Sequence, residues 1–474
     1  MGKNSVVDLD ALLYTDNGKL SLELRAMDRL RWGILLLLPL YFMILGAIID
    51  GPAEVILGLS EILLSSARVT TDFTAVGGLG ATLWSVSLVI LMQLILLFIW
   101  DSRLSNRTAS GILFTAGFAF HDTNVMNAFP IMLGVYLYSR IRKIPYNDLF
   151  FVASMSTSMG PLISTLFYDR MIWSEGSVMP WLNWIRNTEV PSFGISYILH
   201  GLCFILFGLF LGFLIGAILP LLAEATAKFH RGYTLYNVGF AAGIYSMIAF
   251  FLLRGWGLDF GKEAILGDIP RLHAMLTFIP VYLAFIILGL LQLKGKFSDY
   301  FALLKSSGVG VDFEEEYGMG ATLFNMGIMG FSATLFLCFV TYTFNGPVLG
   351  SLLSMVAFSA IGQHPGNCWP IVLACVLTQH FRVGLGGGAM AAVFFSTNMA
   401  PFAGEFGILA GLMAGYLHAI LVGQVLNLHA GLNLYNNGFS SGFVVVILYP
   451  IFHLWREGFA KRNQDKQGVE NAME

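Results

Sequence analysis

Apolar residues run along this chain in long blocks separated by short polar breaks, without the strict alternation that marks a half-buried strand. Most blocks hold about 18 to 25 residues, the length an α-helix needs to cross a hydrocarbon core of roughly 30 Å. The pattern predicts segments at 30–50, 78–100, 147–166, 194–221 and 234–254, then at 272–291, 319–341, 387–403, 406–428 and 433–452. Between the second and third of each series lie two shorter segments, 108–121 with 125–139 and 346–361 with 366–380. Helices of about 14 residues reach only roughly 21 Å. Each short pair therefore reads as a helical hairpin that enters and leaves on one side, two thin crossings being the alternative. Lipid leaves no partner for exposed peptide groups, so the blocks are helices.

The two series are copies of one another. From His230 the chain reads H-R-G-Y-T-L-Y-N-V-G-F-A-A-G, and from His429 it reads H-A-G-L-N-L-Y-N-N-G-F-S-S-G, matching at eight of fourteen positions at a spacing of 199. At a spacing of 240, Asp72-Phe73 matches Asp312-Phe313, Gly80 to Leu83 matches Gly320 to Leu323, and Asn127 matches Asn367. Pro130, Ser156, Thr157 and Pro161 match Pro370, Ser396, Thr397 and Pro401 at the same spacing. The change of spacing means that the first copy carries 41 extra residues, including a polar, Trp-rich loop at 167–192. The organisation expected is a polar segment 1–27, repeat one at 28–254, a linker 255–269, repeat two at 270–455 and a tail 456–474. Either count of the short pairs gives an odd number of crossings per copy, so the second copy should lie inverted.

Composition sharpens this picture only modestly. With 56% hydrophobic and 12% charged residues, the chain has no room for a soluble catalytic or nucleic-acid-reading domain. Cys203, Cys338, Cys368 and Cys375 sit in apolar sequence and read as buried thiols. The polar start lacks the pattern of a secretory leader, so the first span is expected to be retained. Basic residues gather at Lys19, Arg25, Arg29 and Arg31, at Arg103, Arg107, Arg140, Arg142 and Lys143, and at Arg456, Lys461, Arg462 and Lys466. By the positive-inside rule these positions, and both termini, face the cytoplasm of a bacterial inner membrane.

Chemistry is expected first at the hairpin tips, His121, Asp122, Thr123 and Asn124 with Asn127, and Gln363, His364, Pro365 and Gly366 with Asn367. Non-helical backbone at membrane depth survives only where protein or a wet cavity surrounds it; solvated surface loops are the other reading. Ser154, Ser156, Thr157 and Ser158 before Pro161, with Ser396, Thr397 and Asn398 before Pro401, come second. Proline displaces a helical carbonyl one turn back, so a break is expected there. Hydroxyls at the break could hold an ion or polar solute, or bond back to the preceding turn. Asn237 and Asn436, about five residues into the last helix of each copy, read either as interhelical glue or as solute ligands. The Gly208, Gly212, Gly216 and Gly407, Gly411, Gly415 stripes read as packing surfaces. Carboxylates are missing from the middle of the long helices, which argues against strong proton coupling.

The overall pattern resembles a bacterial polytopic membrane family with a tandem repeat, known only as a domain of unknown function, over nearly the whole chain. A shorter stretch, Gly431-Leu432-Asn433-Leu434-Tyr435-Asn436 with Gly442, resembles the Gly-Leu-x-x-Tyr-Asn element of urea transporters. That resemblance implies two inverted halves and passage of a small neutral solute; the Leu-Pro-x-x-Thr element of those channels has no counterpart here. The residues together predict an all-α integral membrane protein of two inverted repeats, each of five spans and a re-entrant hairpin. The expected function is secondary transport of a small polar solute or ion, with a passive channel as alternative and a membrane-embedded enzyme third. No cofactor or metal is expected. Sodium is a candidate coupling ion, and the expected partners are the bilayer, the solute and a second copy of the chain, not nucleic acid.

Overall fold

The computed structural model describes residues 18–68, 71–100, 102–168, 195–258, 260, 265–340, 344–386 and 388–471. Helix α1 (Gly18–Asp50) ends where Gly51 takes φ 83°, and Pro52 opens α2 (Pro52–Leu63), which folds back along the chain. Asp72 caps the single turn α3 (Phe73–Val76), and α4 (Gly78–Ile99) returns beside α1. The hairpin α5 (Asn106–Phe118) and α6 (Val125–Arg142) follows. Then α7 (Tyr146–Ser156), a 3-10 turn at Thr157–Met159 and α8 (Gly160–Tyr168) form one interrupted element. Helices α9 (Ile195–His230) and α10 (Asn237–Gly255) complete the half.

The second half repeats the order: α11 (Arg271–Leu293), the short α12 (Phe297–Leu303) and α13 (Phe313–Val340), whose backbone kinks at Gly318. Its hairpin is α14 (Gly346–Phe358) and α15 (Pro365–Arg382). Its interrupted element is α16 (Gly388–Phe395), a 3-10 turn at Ser396–Met399 and α17 (Ala400–Phe406). Helices α18 (Ile408–His429) and α19 (Asn436–Asn471) end the chain. Among the described residues, nine helices are long and apolar enough to cross a bilayer. The chain is an all-α, multi-pass integral membrane protein.

Several expected boundaries move. Helices α6 and α15 run 18 residues, longer than the pattern suggested, because a cap fixes each start and the helix continues to a basic end at Arg142 and Arg382. The prolines produce a 3-10 turn before Pro161 and Pro401, as a break at that place requires. The echo begins where helices stop: Arg231 and Ala430 take φ 51° and 49°, followed by Gly232 and Gly431 at φ 80°. That left-handed pair ends α9 and α18. Asn237 and Asn436 are consequently the first residues of α10 and α19, not residues inside them. Nearly all of the extra loop at 167–192 lies outside the described residues.

Close backbone contacts sort the helices into groups. Helices α1, α2 and α4 meet at Gly46 against Gly80 and Gly58 against Gly77, and α11 meets α13 at Gly289, Gly320, Gly327 and Gly330. Within the hairpin-bearing remainder, Gly134 of α6 abuts Gly212 of α9, and Gly411 and Gly415 of α18 abut Pro370 and Ile371 of α15. Helices α5 and α14 lie against each other and run antiparallel. Asn106 at the start of α5 donates to the Ala360 carbonyl beyond the end of α14 at 3.1 Å, while Gly346 at the start of α14 faces the Phe120 carbonyl beyond α5.

The α1–α4 and α11–α13 groups touch the hairpins through helices and loops: α4 packs on α5 and α13 on α14, and Asn325 of α13 donates to the Ser359 and Gln363 carbonyls at 2.7 and 2.8 Å. After α2, the Ile62 carbonyl accepts from Asn124 at 3.4 Å and the Ser66 carbonyl from Thr165 at 3.2 Å. After α12, the Ser306 carbonyl binds the His364 ring at 2.9 Å and the Ser307 carbonyl accepts from Asn367 at 3.4 Å. Arg31 joins the two outer groups through Glu314.

A side chain at Gly212 has no room: its Cβ would lie 2.3 Å from the Pro130 carbonyl carbon. Gly212→Val is expected to lower stability by about 1–3 kcal/mol through overpacking. At Gly423, where nothing lies within 4 Å, Ala should be neutral or slightly stabilising. Thermal unfolding in detergent checks both, and equal effects would refute close packing at the α6–α9 seam.

Candidate functional site

Turning a chain inside apolar surroundings strips peptide groups of their helical partners, and each orphan must find another. The two tips solve this the same way. In the first, the Asn124 side chain accepts from the amides of Met126 and Asn127 at 2.9 and 3.2 Å, and Asn127 Oδ1 accepts from the Asn124 amide at 2.9 Å. The Asn127 amide nitrogen then donates to the Asp122 carbonyl at 2.9 Å and to Ser164 Oγ at 3.1 Å. In the second, Asn367 Oδ1 accepts from the His364 amide at 3.0 Å and its nitrogen donates to the Gly362 carbonyl at 2.9 Å. Both are capping boxes with an added staple across the turn. Asn127 and Asn367 thus shape the tips; their hydrogen-bonding capacity is engaged there, not offered to a solute.

His364 is engaged as well. Its Nδ1 accepts from the Gly366 amide at 3.1 Å, so its Nε2 carries the proton and donates to the Ser306 carbonyl at 2.9 Å. All four residues of the first tip are buried. They are not a solvated surface loop.

The 3-10 breaks pack against these tips. Gly160 leaves room for the Asn127 amide, and Thr397 Oγ1, which donates to the Phe394 carbonyl at 2.6 Å, lies 3.2 Å from the Gln363 side-chain amide. Most hydroxyls of the breaks bond back: Ser156 to the Val152 carbonyl at 2.7 Å, Thr157 to Ser154 at 2.6 Å, Ser396 to Val393 at 2.6 Å. This is ordinary helix back-bonding. Asn398 is different, because it ties the break to the echo. Its Oδ1 accepts from Thr234 Oγ1 at 2.6 Å and its carbonyl accepts from the Leu235 amide at 2.9 Å. Across the halves, the Ser158 carbonyl accepts from the Leu434 amide at 3.1 Å.

Asn237 joins helices: its nitrogen donates to the Ala223 carbonyl at 2.8 Å and its oxygen meets Thr226 at 3.1 Å and the His230 ring at 2.8 Å. Asn436 donates likewise to the Val422 carbonyl at 2.8 Å. Of the two readings for this pair, the contacts are those of interhelical glue.

What stays unengaged is more informative. Among the described residues, Thr123 Oγ1, Ser158 Oγ, Gln363 Nε2, Asn433 Nδ2 and both Asp122 oxygens are buried without a hydrogen-bond partner. Thr123 and Gln363 occupy equivalent tip positions, as do Ser158 and Asn398 at the breaks, and Thr234 and Asn433 in the echo. Thr234 and Asn398 close on each other, whereas the shorter Ser158 opposite Asn433 leaves both unpartnered. Thr123 stands in a tip and Ser158 at a break where the sequence places chemistry; Asn433 is not singled out there, and the repeat spacing of 199 is the signal that pairs it with the bonded Thr234.

Between the tips lies an aromatic set of Phe114, Phe118, Tyr236, Phe358, Phe395 and Tyr435, with ring centroids 4.4 to 6.4 Å apart. Asp72 stands above the first tip and accepts from Thr74, Gly267 and Gly346. Burial pushes its carboxyl above the usual carboxylate range, and those hydrogen bonds oppose the shift. A cavity of ≈ 40 Å³ lined by Arg31, Asn106, Glu314 and apolar side chains lies beside the second tip. Its mostly apolar wall gathers none of the unengaged tip groups.

Asn127→Ala and Asn367→Ala should each cost roughly 1–3 kcal/mol, because a buried carbonyl and an amide lose their partner. Ser156→Ala, which removes only a bond to its own helix, should cost less than about 1 kcal/mol. Unfolding midpoints compare them, and indistinguishable losses would discard the staple role.

No curated protein and no solved structure matches the chain. A family model described as Protein of unknown function (DUF1576) matches residues 51–185, 191–255 and 293–454. These segments take in both hairpins, both breaks and both copies of the echo. The chain belongs to this family of multi-pass membrane proteins.

Proposed function

We propose that the protein is a secondary transporter carrying a small polar solute or ion through a site between two inverted repeats. The observation that carries this reading is the matched pair of buried tips. Each is held by an Asn staple beside a 3-10 break, and unengaged polar atoms of tip, break and echo gather around them. Discontinuous helices facing each other across an internal repeat are where transporters place their sites. The antiparallel packing of α5 on α14 supports inversion.

The aromatic set between the tips favours alternating access over a standing pore, since rings fill the space a channel would keep open. Two helix groups closed by glycine contacts, and the hairpin-bearing remainder, supply a scaffold and a mobile part. In this reading the basic clusters face the cytoplasm of a bacterial inner membrane and both termini lie there. Hydroxyl and carbonyl groups at the breaks make sodium a candidate coupling ion, and the protein is a carrier, not an enzyme.

Movement can be tested without knowing the solute. A single cysteine at Gln363, in a background free of the native cysteines, is exposed to membrane-impermeant maleimide in vesicles of either orientation. Labelling from both sides is expected. Cross-linking Ser66→Cys to Thr165→Cys, where the native contact spans 3.2 Å, should abolish labelling from one side, with recovery on reduction. Two-sided labelling that ignores the cross-link would favour the channel, and none from either side would sink both readings.

A further inference from the structure

One group at the first tip has no role in holding it. Asp122 is fully buried, and neither carboxylate oxygen has a hydrogen-bond donor. The second tip places Gly362 at the equivalent position, so the fold does not need a side chain there. The neighbouring His121, 3% exposed, brings Nε2 to 3.5 Å from Asp122 Oδ2, and its Nδ1 also lacks a partner. Two adjacent buried titratable side chains therefore face each other, with no hydrogen-bond donor on the carboxylate and no partner for the imidazole Nδ1.

The charged surroundings decide what they hold. Asp72, on the connection from α2 to α3, faces Asp122, and Arg68 is buried in the same connection. Asp72 has four donors, the Thr74 amide and hydroxyl and the amides of Gly267 and Gly346. Of two facing carboxyls, the one with four donors bears negative charge at lower cost than the one with none. Among the described residues no three His, Cys, Asp or Glu side chains converge to hold a metal ion. A proton, by contrast, needs only the two atoms present.

We propose that the His121–Asp122 pair is a proton-binding site, and that this proton is the coupling ion of the transport cycle. In the closed arrangement a proton from water bonds to an Asp122 carboxylate oxygen, leaving a neutral acid beside the imidazole. When the tip opens toward water, that O–H bond breaks and the proton leaves. Proton carriage occurs on the first tip alone, so the two halves share a scaffold but differ in role. Coupling rests on the transport reading; the proton site rests on burial and contact.

Infrared difference spectra of the full chain in lipid, between acidic and mildly alkaline buffer, test the site directly. A protonated-carboxyl carbonyl band is expected in the native chain and lost in Asp122→Asn. Asp122→Gly, which copies the second tip, serves the same purpose should Asn disturb folding. His121→Gln should shift the titration midpoint of the band. A band that persists in both Asp122 variants would overturn the proton site. The coupling claim is read from the Gln363→Cys reporter: the ratio of labelling from the two sides should change with pH, and become flat in Asp122→Asn. Labelling that keeps its pH dependence in that variant overturns coupling through this pair. Loss of two-sided labelling at every pH would remove the transport reading while the infrared result still judges the site.

Discussion

A peptide group taken into apolar surroundings must keep a hydrogen-bond partner, and the architecture of this protein follows from how its hairpin tips meet that demand. A helix satisfies itself; a turn between two helices does not. Here one asparagine side chain at each tip closes the circuit, its oxygen taking the cap amide and its nitrogen giving to the carbonyl five residues back. Any side chain lacking either a donor or an acceptor would leave one buried group orphaned. With the turn held from within, neighbouring elements can approach it closely, as Gly160 does at Asn127. The breaks, the echo and the outer loops are all arranged around these two fixed points.

Two copies of one scaffold need not carry the same chemistry. The first tip reads His121-Asp122-Thr123-Asn124 and the second Ile361-Gly362-Gln363-His364. The backbone path is shared because the staple is shared. Gln363 reaches Thr397 and Asn398 reaches Thr234, whereas the shorter Thr123 and Ser158 at the equivalent positions of the first half leave their hydroxyls unengaged. Polar atoms buried without partners are costly; at the first tip they include a carboxyl beside an imidazole, which the second tip lacks, and this marks where the molecule gives up stability for binding.

Much of the fold was legible because lipid narrows the choices. Once a block is long and apolar, it is a helix, and the repeat spacings fixed which helices correspond. Boundaries were harder: Asn237 looked interior because apolar residues precede it, yet the left-handed Arg231–Gly232 pair had already ended α9. Short helices such as α2 and α12 carry no span-length signal. At the site, the sequence located the tips and breaks but could not distribute roles among them. An asparagine that shapes a turn and one that binds a solute have the same letter, and only hydrogen-bond partners separate them. Asp122 illustrates the reverse case. Its letter makes it a candidate at the tip, but only the structure shows it completely buried with no donor on either oxygen.

The distribution of glycine contacts bears on which parts can move. Where backbones touch, as at Gly46 with Gly80 or Gly134 with Gly212, sliding would drive peptide groups into one another, so those seams behave as rigid units. The hairpin-bearing helices meet the outer groups partly through single carbonyls at Ile62, Ser66, Ser306 and Ser307, and at the second tip also through backbone contact of Gly308 with Gly362 and the Asn325 bonds. A carbonyl released from such a bond can be taken up by water, which a ruptured backbone seam cannot be. Since Gly308 and Asn325 hold the second tip, the boundary of least resistance runs along the loop that covers the first. It is the same boundary along which Asp122 would first meet water.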